Sequence, residues 1–379
     1  MNKFFSRDRQ SKLSNWWWTV DKTLLSLISS LILIGVFLNF SGSPAVAERI
    51  GIKSFHFVYR QIMMLPLAIG MMMFLSLQDI KNVRRIAILA FFVTIGLMIY
   101  TILVGAEIKG AKRWIRILGF SLQPSEFIKP SFIILSAWLI DGAKRVKSFP
   151  GYYISIGLYI ITVGLLLSQP DVGMTIVVSL VWAAQLFISG IPMLLCGGII
   201  LTGILSLVII YFTFPHFQAR IELFMQSGDK LSYQVRKSIE AFQNGGFFGI
   251  GPGEGVVKLN LPDSHTDFIL AVAGEEFGAL LCLIILGIYL TIIIKPLIGL
   301  LKEHNLFIIL AVSGLVIQFG IQAIINICST LHLMPTKGMT LPFISYGGSS
   351  LLSTSFGIGM LLAITRKNSA LELDDDNNE

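Results

Sequence analysis

Apolar residues run along this chain in long blocks separated by short polar breaks. A helix needs about 20 apolar residues to cross a hydrocarbon core, and blocks of about that length recur at 22–41, 57–78, 86–104, 125–140, 151–168, 172–189, 192–213, 267–294, 306–329 and 346–365. The pattern predicts an all-α polytopic membrane protein with about ten transmembrane helices. Only Gln169-Pro170-Asp171 parts the fifth block from the sixth, and only Gly190-Ile191-Pro192 parts the sixth from the seventh. Connections this short make antiparallel neighbours. Ala45-Val46-Ala47 resembles a cleavage site, but the apolar stretch before it is long for a leader, and Trp16, Trp17 and Trp18 suit an interfacial anchor. The block is therefore read as a spanning helix.

Composition removes the soluble alternatives. Hydrophobic residues make up 54% and charged residues 13% of the 379 positions, about half the roughly 25% charge of a soluble domain. The net charge of +7 sits in small clusters between the blocks, so it points to anionic lipid and not to nucleic acid. Cys196, Cys282 and Cys328 fall inside apolar blocks at wide spacing, with neither disulfide nor metal arithmetic. There is no phosphate-binding loop and no His/Cys metal spacing, which argues against an ATP-driven pump or a thiolate redox carrier.

Cations set the orientation. They gather around Lys3, Arg7, Arg9, Lys12 and Lys22, then at Lys81, Arg84, Arg85, Lys144, Arg145, Lys147, Lys295, Lys302, Arg366 and Lys367, all on the side of the N-terminus. Both termini are expected in the cytoplasm, with an N-terminal arm at 1–21, a membrane domain at 22–365 and an acidic tail at 366–379. One connection is long: 214–266, between spans seven and eight on the outer face.

Candidate chemistry collects on that face. Asp267 stands where the long loop enters the eighth span, a position that suits either a helix N-cap or a reacting carboxylate. His265 is its neighbour. The glycine-dense stretch from Gly245 to Gly255 and the following Lys258 make either a compact turn or a backbone cradle for an anion. Glu275 and Glu276 lie deeper in the same span and need a structural partner or a chemical role. Before the fourth span, Lys109, Lys112, Arg113 and Arg116 break the charge asymmetry, followed by Glu126 and Lys129. They fit lipid phosphate or, more sharply, a pyrophosphate, with Glu126 and Lys129 spaced to pair on a helix. Gln318, Gln322 and Asn326 form a polar stripe on the ninth span, and Lys337 and Ser345 follow it. These features suit an anionic, membrane-attached ligand. Whether the ligand is moved or chemically changed is left open by them.

Five ordered motifs carry a resemblance: Gly110-Ala-Lys-Arg-Trp-Ile115, Gln123-Pro-Ser-Glu126, Gln169-Pro-Asp171, Leu261-Pro-Asp-Ser-His-Thr-Asp-Phe268 and Leu341-Pro-Phe-Ile-Ser-Tyr-Gly-Gly-Ser-Ser350. Together they resemble the SEDS family (shape, elongation, division and sporulation), and its division-type members more than its elongation-type ones. The resemblance implies a peptidoglycan glycosyltransferase of the bacterial inner membrane that polymerises lipid II at the division septum. Its implied partners are lipid II, the undecaprenyl-pyrophosphate-linked glycan, a class B penicillin-binding transpeptidase and other divisome membrane proteins, with no nucleic acid. It implies Asp267 as the catalytic base; read together with the residue pattern, Lys112, Arg113, Glu126, Lys129, Lys258, His265 and Lys337 are the candidate substrate-binding residues, and Glu275, Gln322, Asn326 and Ser345 the candidate supports. No tightly bound cofactor is implied; a divalent cation (Mg or Mn) on the pyrophosphate is compatible with it, without a protein ligand set. Asp263 stands where the family usually carries Glu. A lipid II flippase and an elongation-type polymerase are the competing expectations.

Overall fold

The computed structural model describes residues 12–108, 111–117, 120–225 and 232–366. Lys3, Arg7, Arg9, Lys109, Gly110 and the acidic tail lie outside the described residues. Each predicted block is a helix: α2 (Lys22–Arg49), α3 (His56–Ser76), α4 (Ile80–Val104), α5 (Pro124–Arg145), α6 (Gly151–Ser168), α7 (Val172–Ile188), α8 (Met193–Thr213), α12 (Ile269–Leu300), α13 (Leu306–Thr330) and α14 (Gly348–Ile364). A short α1 (Lys12–Thr19) precedes them, and α9 (Pro215–Met225), α10 (Tyr233–Gly245) and α11 (Val257–Asn260) lie in the long connection. The polar breaks are helix caps. Asp21 accepts from the Thr23 and Leu24 amides at 3.0 Å each, Asp171 from Met174 at 3.2 Å and Asn305 from Phe307 at 3.1 Å, satisfying amides that a helix start leaves open.

Among the described residues, seven helices are long and apolar enough to cross a membrane: α2, α3, α4, α6, α8, α12 and α13. The other three predicted spans depart for one physical reason. Charged α5 and the 17-residue α7 and α14 sit inside the bundle, where their neighbours are protein. Nearly all of α14 and most of α5 are buried, so polar side chains there meet partners instead of lipid. The opposite case is α8, where only Ile210 is buried. Ala45, Val46 and Ala47 are buried within α2, and Asn39 of the same helix donates to the Ile344 carbonyl at 2.8 Å.

One end of the bundle is tied by Asp21–Lys295 at 2.6 Å, Arg145 to Asn305 at 3.3 Å and Arg366 to the Gln78 carbonyl at 2.8 Å. It holds the described end of α14 and the start of α2. The long connection, the Gln169-Pro170-Asp171 turn and the loop 331–347 are at the other end.

That other end also carries strands, which the helical pattern did not predict. β1 (Ala106–Ile108), β2 (Ala111–Ile117) and β3 (Phe120–Leu122) form an antiparallel sheet in that order, with Ala106 opposite Trp114 and Arg116 opposite Ser121. Successive side chains of a strand point to opposite faces. Lys112 and Arg116 therefore share the exposed face, and Arg113 turns the other way.

Candidate active site

Asp267 lies in the turn just before α12. The cap position falls on Phe268, whose side chain makes no capping bond, so the N-cap reading does not describe this carboxylate. Its backbone is held instead: the Asp267 carbonyl accepts from Asn326 Nδ2 at 2.9 Å and Thr330 Oγ1 at 3.4 Å, both on α13. The rest of the turn is pinned from three further directions. Ser264 Oγ donates to Gly42 on α2 at 3.0 Å, Ser345 Oγ donates to the Thr266 carbonyl at 2.5 Å, and the Tyr346 amide donates to the His265 carbonyl at 2.9 Å. Such multiple attachment fixes a reacting group to within fractions of an ångström.

The carboxylate opens on a cleft of about 130 Å³ whose charged lining is Arg220, Asp263, Asp267 and Lys337. Gly338 also lines it, with φ +66°, and a side chain there would begin 3.3 Å from Asp267 Oδ2. Both the left-handed backbone and the close approach require glycine. Asn326 joins the two sides, since its Nδ2 also donates to the Met339 carbonyl at 2.6 Å.

Lys337 is half-buried, its stem packed against Gly173 at the start of α7, where any side chain would overlap it. Its ammonium has one hydrogen-bond partner among the described residues, the thioether of Met339 at 3.5 Å. Burial pushes Lys337 down to about 7, opposed by Asp171 and Glu126 and reinforced by Lys129 and Arg220. Arg220, on α9, donates to the Thr336 carbonyl at 3.3 Å. Its pKa is lowered, mainly by burial and then by Arg113, against Asp267 and Asp171. The cleft thus brings carboxylates and half-buried cations together, a combination suited to taking a proton while holding an anion.

The other sequence candidates fall into separate places. Glu126 and Lys129 are buried on α5 and paired at 2.8 Å, and Lys129 also donates to Gln322 at 3.0 Å. Gln322 in turn donates to the Thr340 carbonyl at 3.3 Å. They underlie the Lys337 side and do not line the cleft. Arg113 grips the Gln169 carbonyl at 2.7 Å, the Pro170 carbonyl and Asp171 at 3.7 Å, holding the turn that starts α7. Lys112 is exposed on the far face of the sheet.

Two expectations are corrected. Lys258 is buried away from the cleft, paired with Glu276 and donating to Ser41 at 2.9 Å. His265 is also buried, its ring stacked on Phe57 at a centroid distance of 4.3 Å. Burial pushes His265 down to about 4 against the pull of Asp263, so the ring is neutral at neutral pH and packs as an aromatic. Glu275 does not pair with a cation either. It accepts from the amides of Val256, Val257 and Lys258 at 2.8–2.9 Å and from Asn244 at 3.0 Å. The two acids hold the glycine-rich loop against α12, which is kinked at Gly278. Lys258→Met is expected to leave Glu276 buried and unpaired, costing about 3–5 kcal/mol. A lowered unfolding temperature and yield, with unchanged KM in the protein that remains, is the readout.

Arg220 went unnoticed in the sequence because α9 lies in a connection with no charge pattern of its own. Its only signal was a cation shortly after Pro215, one of five in the long outer connection.

The chain is similar to known proteins over most of its length. The family model described as "Cell cycle protein" (FtsW, RodA, SpoVE) matches residues 22–370. A relative from Caulobacter vibrioides named "Probable peptidoglycan glycosyltransferase FtsW" is 40% identical over 367 residues, covering 96% of this chain and 93% of that protein. One of the same name from Acinetobacter baylyi is 35% identical over 374 residues, 95% and 92% of the two chains. Among solved structures, a chain of a peptidoglycan synthase complex superposes with a TM-score of 0.76 at 27% identity, covering 92% of this chain and 98% of that one. The rod shape determining protein RodA of Thermus thermophilus gives 0.69 at 26% identity, covering 92% and 97%. With the family pattern running through all ten long helices and the cleft, this multi-pass membrane protein belongs to the FtsW/RodA/SpoVE family of cell cycle proteins.

Proposed function

We propose that the chain is a peptidoglycan glycan-strand polymerase acting on lipid II at the division septum of the bacterial inner membrane. The observation that carries this reading is a pinned carboxylate, Asp267, and a half-buried ammonium, Lys337, whose hydrogen-bond partner among the described residues is a thioether, on one cleft. The names of the relatives support it. The cleft lies at the end of the bundle that charge asymmetry assigns to the outside.

In this mechanism, Asp267 takes the proton of the acceptor sugar's 4-hydroxyl as that oxygen attacks the anomeric carbon of the lipid-linked strand. The new C–O bond forms as the bond to undecaprenyl pyrophosphate breaks, and the α linkage inverts to β-1,4. The bonding pair leaves with the pyrophosphate, whose charge Lys337 and Arg220 meet in a site with little screening. Lipid tails confine both substrates to the membrane, which lowers the entropic cost of encounter. A divalent cation carried on the substrate pyrophosphate would add charge neutralisation there. A lipid II flippase would need a polar path through the bundle, but Glu126, Lys129 and Gln322 are bonded to one another. A class B penicillin-binding transpeptidase is the expected partner, in keeping with the solved synthase complex.

The test is strand formation from labelled lipid II by the protein reconstituted with its transpeptidase, with moenomycin present to silence polymerases of the other class. Transbilayer movement of lipid II without polymer would overturn the reading. A pH profile adds a second check. Protonated Lys337 is the form that holds the leaving anion, and it is lost as pH rises through about 7. The expected kcat/KM therefore falls above about 7, while bound anion stabilises the ammonium and moves the kcat limb to higher pH. Lys337→Arg, which stays charged, should remove that limb.

A further inference from the structure

Phe247 and Phe248, at the tip of the glycine-rich loop, are 54% and 78% exposed, their rings edge to face at 5.0 Å. The mechanism makes no use of them. Their height along the bundle follows from two helices independently. The Asp21–Lys295 ion pair marks one boundary of the spanning region. On α12, Leu280 lies about 15 residues above Lys295, or about 22 Å at 1.5 Å per residue, and its amide donates to the Phe247 carbonyl at 3.1 Å. On α2, Phe37 lies about 16 residues above Asp21, or about 24 Å, and its ring packs on Phe277 at 5.5 Å, beside the kink. A hydrocarbon core is about 30 Å thick. Both measures put the tip inside its outer part.

The backbone around the tip suits that depth. The kink at Gly278, with φ +73° and no room for a side chain against the Phe247 carbonyl, frees the amides that follow it. Ala279 and Leu280 donate instead to the carbonyls of Gly246 and Phe247, at 3.0 and 3.1 Å. Non-helical backbone at membrane depth must satisfy its polar groups within the protein. Below the tip, Leu280, Leu283 and Ile284 are exposed by 43%, 57% and 49%, continuing the apolar surface down a helix that faces lipid.

We propose that the Phe247–Phe248 tip inserts among the acyl chains of the outer leaflet as a re-entrant anchor. Glu275 and Glu276 clamp the same loop to α12, so insertion would set the height of the turn that carries Asp267. That last consequence rests on the polymerase reading; the insertion does not.

The test uses the full chain in lipid bilayers without its partner, with Cys196, Cys282 and Cys328 replaced by Ala and a spin label attached at Phe248→Cys. Collisional relaxation by oxygen is expected to exceed that by a water-soluble nickel chelate, and the order should reverse for a label at Glu254→Cys on the same loop. Nickel exceeding oxygen at 248 would overturn the proposal in favour of a water-facing tip. Exclusion of both reagents would overturn it in favour of a protein surface, such as a second copy, covering the tip. Should the labelled variant fail to fold, the wild-type chain can be irradiated with a phospholipid bearing a diazirine in its acyl chain. Adducts at Phe247 or Phe248 are expected, and adducts confined to the long helices would refute insertion. Neither readout depends on activity, so failure here is distinct from failure of the polymerase reading.

Discussion

Asp267→Asn is expected to abolish glycan-strand formation while leaving the protein folded. Loss of a general base lowers a rate by about 10²–10⁴, and an amide of the same shape cannot take the acceptor's proton. The structural cost should be small. The bonds from Asn326 and Thr330 reach the backbone carbonyl, not the carboxylate, and the cap position of the helix falls one residue later, on Phe268. Polymer yield from labelled lipid II and an unfolding curve for each protein check both halves. Unchanged polymer in the variant would remove Asp267 as the base and turn attention to Asp263, the other carboxylate of the cleft.

Lys337→Met separates function from stability in the opposite sense to Lys258→Met. Lys337 is half-buried, with a thioether as its one hydrogen-bond partner among the described residues. Methionine keeps most of the stem and removes a poorly solvated charge. The unfolding temperature is expected to hold or rise. Polymerisation is expected to fall by about 10²–10³, the typical loss when one donor to a developing charge is removed. A variant that polymerises normally would exclude Lys337 from holding the pyrophosphate. For Lys258 the stability change is the effect, because its partner carboxylate stays behind.

The two lysines look alike in sequence: each lies in an outer segment close to glycine and shortly before a family motif. They differ in what the fold brings to their amines. Glu276 reaches Lys258 because α12 kinks at Gly278 and the glycine-rich loop folds back over the segment before the kink. No periodicity announces that. The same kink accounts for Glu275, which seemed to lie deep in a span and instead gathers three loop amides. Arg113 and Lys112 were one cluster until strand β2 put them on opposite faces, sending Arg113 to the Gln169-Pro170-Asp171 turn and Lys112 to the surface. His265 looked polar and was enclosed by Phe57 and Tyr346. Arg220 reached the cleft on a helix that carried no legible signal.

The ten apolar helices of the bundle were legible in one dimension. Lipid imposes a length and an apolar composition on each crossing segment. The position of Asp267 beside the eighth span was legible for the same reason. Its environment was not. Which cation faces it, which carboxylates serve only the loop, and which side chains the bundle encloses all depend on contacts between residues distant in the chain. Those contacts arise when ten helices pack and one of them bends, and only the tertiary structure decides them.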